Sequence, residues 1–283
     1  MHYWLSLNKS RQLALLIALV ALLVACTRTF ALFTPPSGQY RATESSLGLK
    51  ELGNLPVADF FSLATRFGTD KVQNDDDPAG HHYHNAYQKY LMPLRNSKIK
   101  FLEIGLGCDM RYGPGKSARL WKELFQHPLT EIWEAEVDVE CASKWNNTMN
   151  DRILTGDQAD EDTLRNWIST TGGNFDVIVD DGGHTFNQQL TSLKVLFDEA
   201  LRPGGIYFME DLVSNSLGQA YVDSADKPIE KIQDWIEALM LGENLLKSRL
   251  KLNEINNLQS IECFRGMCAF HKCPESTTGA QCP

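Results

Sequence analysis

Acidic residues and one histidine follow two apolar segments of the chain, and their types suit metal and proton chemistry. Asp180, Asp181 and His184 come after the first segment, and Glu210 and Asp211 follow the second. Converging carboxylates repel one another unless a cation lies between them or some are protonated. Carboxylate oxygens suit Mg²⁺, and histidine titrates near neutral pH. We therefore predict a divalent metal on Asp181, Glu210 and Asp211, with His184 as the base that accepts a proton from a hydroxyl.

A structural role is the alternative for some of these residues. Asp180 and Asp211 could cap helices, and His184 could hydrogen-bond a loop carbonyl. Capping accounts for one acid at each helix, however, and does not explain why the other carboxylates are present. The metal site is therefore the favoured interpretation.

The two apolar segments, residues 175–179 and 205–209, are short and rich in β-branched and aromatic residues. Such segments are typical of buried parallel strands. Residues 185–200 between them carry apolar side chains at helical spacing, and Thr185 with Gln188 fits a capping box. A right-handed crossover through this helix makes the strands parallel and places both acidic ends at one edge of the sheet, where ligands bind.

The same alternation of strands and helices continues along the chain. Predicted strands cover residues 98–104, 131–137 and 152–155, and predicted helices cover 116–125, 160–169 and 227–241. Strands that alternate with helices predict an α/β fold built on a doubly wound parallel sheet.

A candidate cofactor site follows the upstream strands. Gly105 and Gly107 come after the first of them, where glycines let a ligand approach the backbone. Glu136, at the end of the next strand, can accept hydrogen bonds from ribose hydroxyls, and Asp157 with Gln158 can contact an adenine edge. The third glycine of the dinucleotide-binding pattern is missing, which disfavours a pyrophosphate cofactor.

In their types and order, these motifs resemble those of the class I S-adenosylmethionine-dependent methyltransferases. The likeness is strongest to metal-dependent O-methyltransferases of the macrocin and mycinamicin type and related fungal and bacterial proteins, and it covers roughly residues 67–272. It is carried by Gly68-Thr69-Asp70-Lys71, His81-x-Tyr83-x-x-x-Tyr87, Phe101-Leu102-Glu103-Ile104-Gly105-Leu106-Gly107, Gly156-Asp157-Gln158, Asp181-x-x-His184 and Glu210-Asp211. The first two motifs resemble the segment that folds over cofactor and substrate in that family.

The resemblance implies a Rossmann-like seven-stranded methyltransferase sheet with a C-terminal antiparallel hairpin. It implies S-adenosyl-L-methionine and Mg²⁺ as cofactors, and His184 as the catalytic base. The metal ligands are then Asp181, Glu210 and Asp211, and the cofactor contacts are Glu103, Gly105, Gly107, Glu136, Asp157, Gln158 and Asp180. One departure is that Glu134-Ala135-Glu136 stands where the family often has Gly-Leu-Asp, so Glu136 must reach the ribose from a different backbone position.

The expected reaction is methyl transfer to a hydroxyl of a sugar, polyketide or other small secondary metabolite. One alternative is an inactive membrane-anchored binding protein that retains the scaffold, and another is a metal-dependent hydroxylase-like or hydrolytic enzyme. The net charge of −9 argues against a nucleic-acid partner. The sequence leaves a homo-oligomer open.

The N-terminal residues predict a targeting segment. Residues 13–26 are apolar and follow Lys9 and Arg11, which indicates a membrane anchor or a secretory signal within residues 1–33. A bacterial lipoprotein cleavage box is a third, less favoured interpretation. We expect a stem over 34–52, the methyltransferase domain over 53–273 and a cysteine-containing tail over 274–283. This predicts a single-pass protein with a cytoplasmic N-terminus and a lumenal or extracytoplasmic domain, or else secretion after cleavage.

Four of the seven cysteines lie near the C-terminus, namely Cys263, Cys268, Cys273 and Cys282. Two short β segments around Arg265-Gly266 predict a hairpin in which Cys263 and Cys268 face each other. Spacing alone does not give the disulfide connectivity. Cys108 is interpreted as a small buried residue beside the cofactor loop, and Cys141 carries no signal.

Overall fold

The structure is a computed structural model, and it describes residues 59–214, 218–241 and 255–275. The chain divides into two units, Met1–Pro56 and Val57–Pro283, and all described residues belong to the second. The predicted targeting segment, the stem and most of the C-terminal tail lie outside the described residues. The predicted domain boundaries therefore stay predictions.

Strands and helices alternate along the described unit. The strands are β1 Lys100–Ile104, β2 Glu131–Glu136, β3 Ile153–Thr155, β4 Phe175–Asp180, β5 Leu201–Met209, β6 Leu258–Phe264 and β7 Met267–Lys272. The helices are α1 Phe60–Phe67, α2 His84–Tyr90, α3 Lys116–Leu124, α4 Val139–Ser143, α5 Asn146–Met149, α6 Glu161–Thr171, α7 Phe186–Glu199 and α8 Pro228–Leu241. Short 3₁₀ helices cover Met92–Leu94 and Gln219–Tyr221.

The strands form one seven-stranded sheet in the order β3-β2-β1-β4-β5-β7-β6. The first five strands of this order are parallel, whereas β7 runs antiparallel to both β5 and β6. The predicted α/β fold with a C-terminal antiparallel hairpin is confirmed. The chain order reverses between β1 and β4, which is the switch point where open α/β sheets bind ligands.

The central strands are apolar on both faces because helices cover both. Leu102 of β1 and Ile178 of β4 pack in one hydrophobic cluster, and their neighbours Phe101 and Val177 pack in another. Successive strand residues point to opposite faces, so an almost continuous apolar run is what two covered faces require. β1 and β4 are therefore buried between two hydrophobic clusters, one on each face of the sheet.

The crossover between β4 and β5 begins as the sequence predicts. Thr185 and Gln188 form the expected capping box at the start of α7. β5 begins at Leu201, four residues earlier than expected, because Leu201 pairs with Phe175 before the register shifts. The acidic ends of both strands are unaffected by this extension.

Two disulfides of the described residues join cysteine pairs. Cys263 lies opposite Cys268 in the hairpin, as predicted, and the two are bonded. Cys108 is bonded to Cys141, a pairing that the sequence did not indicate. Cys273 is also disulfide-bonded.

The predicted localisation requires a correction. No helix of the described residues is long and apolar enough to cross a membrane. Residues 1–33, on which the single-pass and secreted arrangements depended, lie outside those residues. We therefore withdraw the membrane-anchored and secreted placements of the domain.

Lys272 offers a test of how β7 is attached to the rest of the sheet. Its buried ammonium donates to the carbonyls of Phe197, Asp198 and Leu201, where α7 ends and β5 begins. Lys272→Met leaves these acceptors without their donor, so we expect the free energy of unfolding to fall by about 1–3 kcal/mol. Urea denaturation measures it. Exposed Lys227→Met is the control, and equal stability of the two variants would contradict the assignment.

Candidate active site

The carboxyl ends of β4 and β5 lie side by side at the switch point. Asp180 pairs with Met209 in the sheet, so the next residues, Asp181 and Glu210, follow at the same level. The Asp181 N–H donates to the Ile104 carbonyl at the end of β1 at 3.0 Å, and the Glu210 N–H donates to the Asp180 carbonyl at 2.9 Å. The predicted convergence of acids from two strands is therefore present.

A buried lysine lies among these acids. The Lys71 Nζ is 2.9 Å from Asp181 Oδ2, 2.9 Å from each carboxylate oxygen of Glu210 and 3.4 Å from Glu103 Oε1. Its side chain is only 1% exposed. Burial opposes the ammonium charge, but the surrounding carboxylates outweigh burial and raise the pKa of Lys71 well above its ordinary value. Lys71 therefore stays charged and neutralises part of the acidic group.

Glu210 is directed towards this lysine. It is buried, and it also accepts a hydrogen bond from the Tyr87 hydroxyl. Burial and the charge of Asp181 raise the pKa of Glu210 well above its ordinary value, against the opposing effect of Lys71. Both carboxylate oxygens of Glu210 thus already contact the Lys71 ammonium. The metal role of Glu210 stays a prediction.

Asp181, His184 and Asp211 lie together facing the cavity. Each offers one ligand atom, and these atoms all lie within 4.8 Å of one another. His184 Nε2 is 3.9 Å from Asp181 Oδ1 and 3.5 Å from Asp211 Oδ2. Two carboxylates and an imidazole are a donor set that suits a divalent ion. The structure therefore places the predicted base, His184, beside two of the acids that sequence reasoning assigned to the metal.

The segment before α2 folds over this group and orients Asp211. The Tyr83 hydroxyl donates to Asp211 Oδ1 at 2.9 Å and accepts the Asp211 N–H at 3.1 Å. Burial and the charge of Asp211 raise the pKa of Tyr83, so it remains a donor. The His81 ring stacks on Tyr83, and its Nε2 is 3.6 Å from Asp211 Oδ1. Both tyrosines of the predicted opening motif thus contact acids of the site.

Two predicted cofactor residues lie behind the cavity wall. Asp180 is fully buried and accepts hydrogen bonds from Gln158, Ser192 and Tyr207. Glu103 is also fully buried, and its carboxylate lies beside Lys71. Neither lines the cavity. Cofactor contact by these two residues stays a prediction, and their observed role is to hold neighbouring side chains.

The remaining predicted cofactor residues line one cavity of about 490 Å³. Gln158 is held on both sides, because its amide donates to Asp180 and its carbonyl oxygen accepts the Gly183 N–H at 2.9 Å. Gly105 cannot carry a side chain, since a Cβ there would lie 2.0 Å from the Asp181 carbonyl oxygen. The cavity wall contains Gly105, Gly107, Glu136, Asp157 and Gln158 together with Asp181, His184 and Asp211.

Comparisons with known proteins identify relatives of this chain. No family model matches the chain. It is 31% identical over 181 residues to 8-demethyl-8-alpha-L-rhamnosyl tetracenomycin-C 2'-O-methyltransferase of Streptomyces olivaceus, which covers 64% of this chain and 44% of that one. It is 35% identical over 136 residues to demethylmacrocin O-methyltransferase of Streptomyces fradiae, covering 47% and 32%. The chain thus spans less than half the length of these curated relatives.

A solved structure decides the fold. MycE methyltransferase, in complex with Mg, SAH and mycinamycin VI, superimposes with a TM-score of 0.61 and 24% identity, covering 80% of this chain and 57% of that one. This chain has the class I methyltransferase fold. The predicted resemblance to O-methyltransferases of the macrocin and mycinamicin type is confirmed.

Two features of this site were not predicted as functional. Lys71 lies in the opening motif Gly68-Thr69-Asp70-Lys71. The motif therefore indicated that Lys71 lies near the site, but no feature of the sequence indicated which acids it contacts. Glu134 stands at a position where the family often has glycine, and it pairs with Glu103 across β1 and β2. Both carboxyl groups are fully buried.

Lys71→Met tests whether the ammonium holds the acidic strand ends together. Removing one partner of a buried ionic group costs about 3–5 kcal/mol, because the remaining charges lose their compensation. We expect that loss in the free energy of unfolding, and a partial recovery when Glu210→Gln is added. Lys144→Met removes an exposed pair with Glu140 and should cost about 0.5 kcal/mol or less. Equal losses in the two lysine variants would contradict the account.

Glu134 predicts a pH dependence of stability. Burial, followed by the charge of Glu103, raises the pKa of Glu134 well above its ordinary value of 4.5. The folded state therefore keeps a proton that the unfolded state releases, and this contribution to stability falls as pH rises above about 4.5 towards the raised pKa.

Glu134→Gln removes this titration. The stability of the variant relative to the parent should increase with pH between about 5 and 8, at up to about 1.4 kcal/mol per pH unit. Urea denaturation at several pH values measures the difference. A difference that stays constant over this range would show that Glu134 does not hold the proton.

Proposed function

We propose that this chain is an S-adenosylmethionine-dependent, divalent-metal-dependent O-methyltransferase that acts on a sugar hydroxyl of a small metabolite. The observation that carries the proposal is the shared cavity. Its lining includes the glycine loop with Glu136, here named the nucleoside wall, and Asp181, His184 and Asp211, here named the acidic wall. A nucleoside cofactor and a metal-assisted hydroxyl would therefore meet in one space.

The first wall suits the nucleoside part of S-adenosyl-L-methionine. The cavity volume of about 490 Å³ lies within the ordinary range for small-molecule sites. Gly107 lines it in a left-handed conformation with a φ of 80°, so the backbone there is open to a ligand. The Glu136 carboxylate would hold the ribose hydroxyls, and Asp157 lies where it could reach the adenine.

The second wall suits Mg²⁺ or a similar divalent ion. Asp181 and Asp211 would hold it, and the predicted ligand Glu210 would join them if it left Lys71. When bound, the methyl donor supplies an electrophilic carbon, and a divalent ion lowers the pKa of the acceptor hydroxyl. The relatives support this pairing, since MycE is described with Mg and SAH.

The chain's own residues would position and deprotonate the acceptor. His184 lies beside both carboxylates, with a side chain 16% exposed, so its imidazole can accept the hydroxyl proton. Tyr83 keeps Asp211 in place through two hydrogen bonds. Lys71 limits repulsion among the acids before any ligand arrives. Most of the rate gain would come from holding the oxygen and the methyl group in contact.

The acceptor class rests on the relatives. The S. olivaceus relative is named for methylation of a rhamnosyl group, and another, from Micromonospora griseorubida, is mycinamicin VI 2''-O-methyltransferase. We therefore propose a sugar hydroxyl on a small secondary metabolite as the acceptor. The relatives support methyl transfer over the inactive-scaffold and hydrolytic alternatives.

The variant Asp181→Asn distinguishes the predicted metal site from the predicted cofactor site. We expect S-adenosylmethionine to bind the parent chain in calorimetry and to bind this variant within about threefold, because the Asp181 carboxylate contacts Lys71 and His184 and not the predicted ribose and adenine contacts. Transfer of a labelled methyl group to a rhamnosyl acceptor, with Mg²⁺ present, should fall on the order of a hundredfold or more.

Asp162→Asn is the matched control, since that carboxylate is 97% exposed and should leave both measurements unchanged. Unchanged transfer by Asp181→Asn would contradict the metal role. A parent chain that does not bind S-adenosylmethionine, with or without Mg²⁺, would contradict the proposed function as a whole.

A further inference from the structure

The disulfide between Cys108 and Cys141 joins a loop and a short helix near the nucleoside wall of the cavity. Cys108 directly follows Gly107 in the loop after β1 and lines the cavity. Cys141 lies in α4, the helix that follows β2, and the two Cα atoms are 6.1 Å apart. The bond therefore ties the glycine loop to α4, the helix that begins shortly after Glu136, the predicted ribose contact.

Both cysteines also hydrogen-bond acids at the end of β2. The Cys108 N–H donates to Glu136 Oε2 at 3.3 Å, and the Cys141 N–H donates to Asp138 Oδ1 at 3.0 Å. Glu136 Oε1 accepts the N–H groups of Val137 and Asp138 at 2.8 and 3.1 Å. The Glu136 carboxylate is thus held between its own turn and the cross-linked glycine loop.

The glycine loop is also attached to β2 at its start, where the Gly105 N–H donates to the Ala135 carbonyl at 2.8 Å. It runs from the end of β1 to the start of α3, and hydrogen bonds from Met110 to Gly107, from Gly113 to Met110 and from Gly115 to Leu106 all lie within it. α4 has only five residues, too few for a helix to be stable by itself. A covalent link between two such elements restricts both where a ligand needs them fixed.

We propose that the Cys108–Cys141 disulfide positions the glycine loop and Glu136 for the nucleoside half of the cofactor, and that its reduction weakens cofactor binding. This inference rests on the proposed function. Dithiothreitol would donate two electrons and two protons, so that the S–S bond breaks, two thiols form and the reductant closes to its cyclic disulfide. The glycine loop and α4, no longer linked, would then adopt the arrangement that binds the cofactor for only part of the time.

The second disulfide of the described residues provides a matched control. Cys263 and Cys268 bridge the hairpin between β6 and β7, and neither lines the cavity. The double variant Cys263→Ser/Cys268→Ser therefore also removes one disulfide but leaves the nucleoside wall unchanged. Comparing it with Cys108→Ser/Cys141→Ser separates an effect on the cofactor site from a general loss of stability.

Calorimetric titration with S-adenosylhomocysteine tests the proposal. If about one tenth of the molecules without this disulfide have the binding arrangement of the glycine loop and α4, the dissociation constant of Cys108→Ser/Cys141→Ser for S-adenosylhomocysteine rises about tenfold. The control variant should stay within about twofold of the parent chain. Dithiothreitol should weaken binding by the parent to the level of the first variant, re-oxidation should restore it, and the first variant itself should not respond.

Kinetics provide a second measurement. The KM for S-adenosylmethionine should rise about tenfold in Cys108→Ser/Cys141→Ser, whereas kcat at saturating cofactor should stay near that of the parent, because the acids and His184 are on the other wall. Equal affinity of parent and variant for S-adenosylhomocysteine would overturn the inference while leaving the proposed function standing. A parent chain that does not bind S-adenosylhomocysteine would overturn both.

Discussion

A single buried ammonium is the constraint on which the site depends. Lys71 enters from the segment before α2 and contacts carboxylates from the ends of three neighbouring strands, namely Glu103 in β1, Asp181 after β4 and Glu210 after β5. Without a cation, these acids would repel one another or take up protons. Because Lys71 compensates them, the strand ends can approach closely and the segment that carries Lys71 is anchored over the site. The same segment then supplies Tyr83, which hydrogen-bonds Asp211, and α2 supplies Tyr87, which hydrogen-bonds Glu210.

The acids of the two strand ends divide into inner and outer positions. Side chains alternate in direction along a strand, so Asp180 points towards Ser192 of α7 and Asp181 towards the cavity. Glu210 stays inside with Lys71, and Asp211, whose φ of 54° turns the chain, faces His184. The inner carboxylates therefore build the wall, whereas the outer ones remain available for a ligand. This division is what allows many acids to occupy one sheet edge.

Local patterns predicted much of this arrangement, and long-range pairings lay beyond them. Apolar runs and helical spacing gave the parallel strands and α7, and the strand ends then gave the positions of Asp181, His184 and Asp211. Lys71 lies 110 residues before Asp181, and no periodicity connects the two. The Cys108–Cys141 pairing could not be predicted for the same reason, since spacing does not determine which cysteines meet in the fold. The inward direction of Asp180 and Glu210 depends on partners such as Tyr207 and Tyr87 that only the packed structure brings close.

The proposed function requires one cavity that holds a nucleoside cofactor on its nucleoside wall and a divalent ion on its acidic wall. A crystal structure with S-adenosylhomocysteine and Mn²⁺, with anomalous scattering to locate the metal, tests this arrangement. We expect one Mn²⁺ bound by Asp181 and Asp211, and the ribose of the ligand hydrogen-bonded to Glu136. A metal bound away from Asp181 and Asp211, or a nucleoside bound away from the glycine loop, would contradict it.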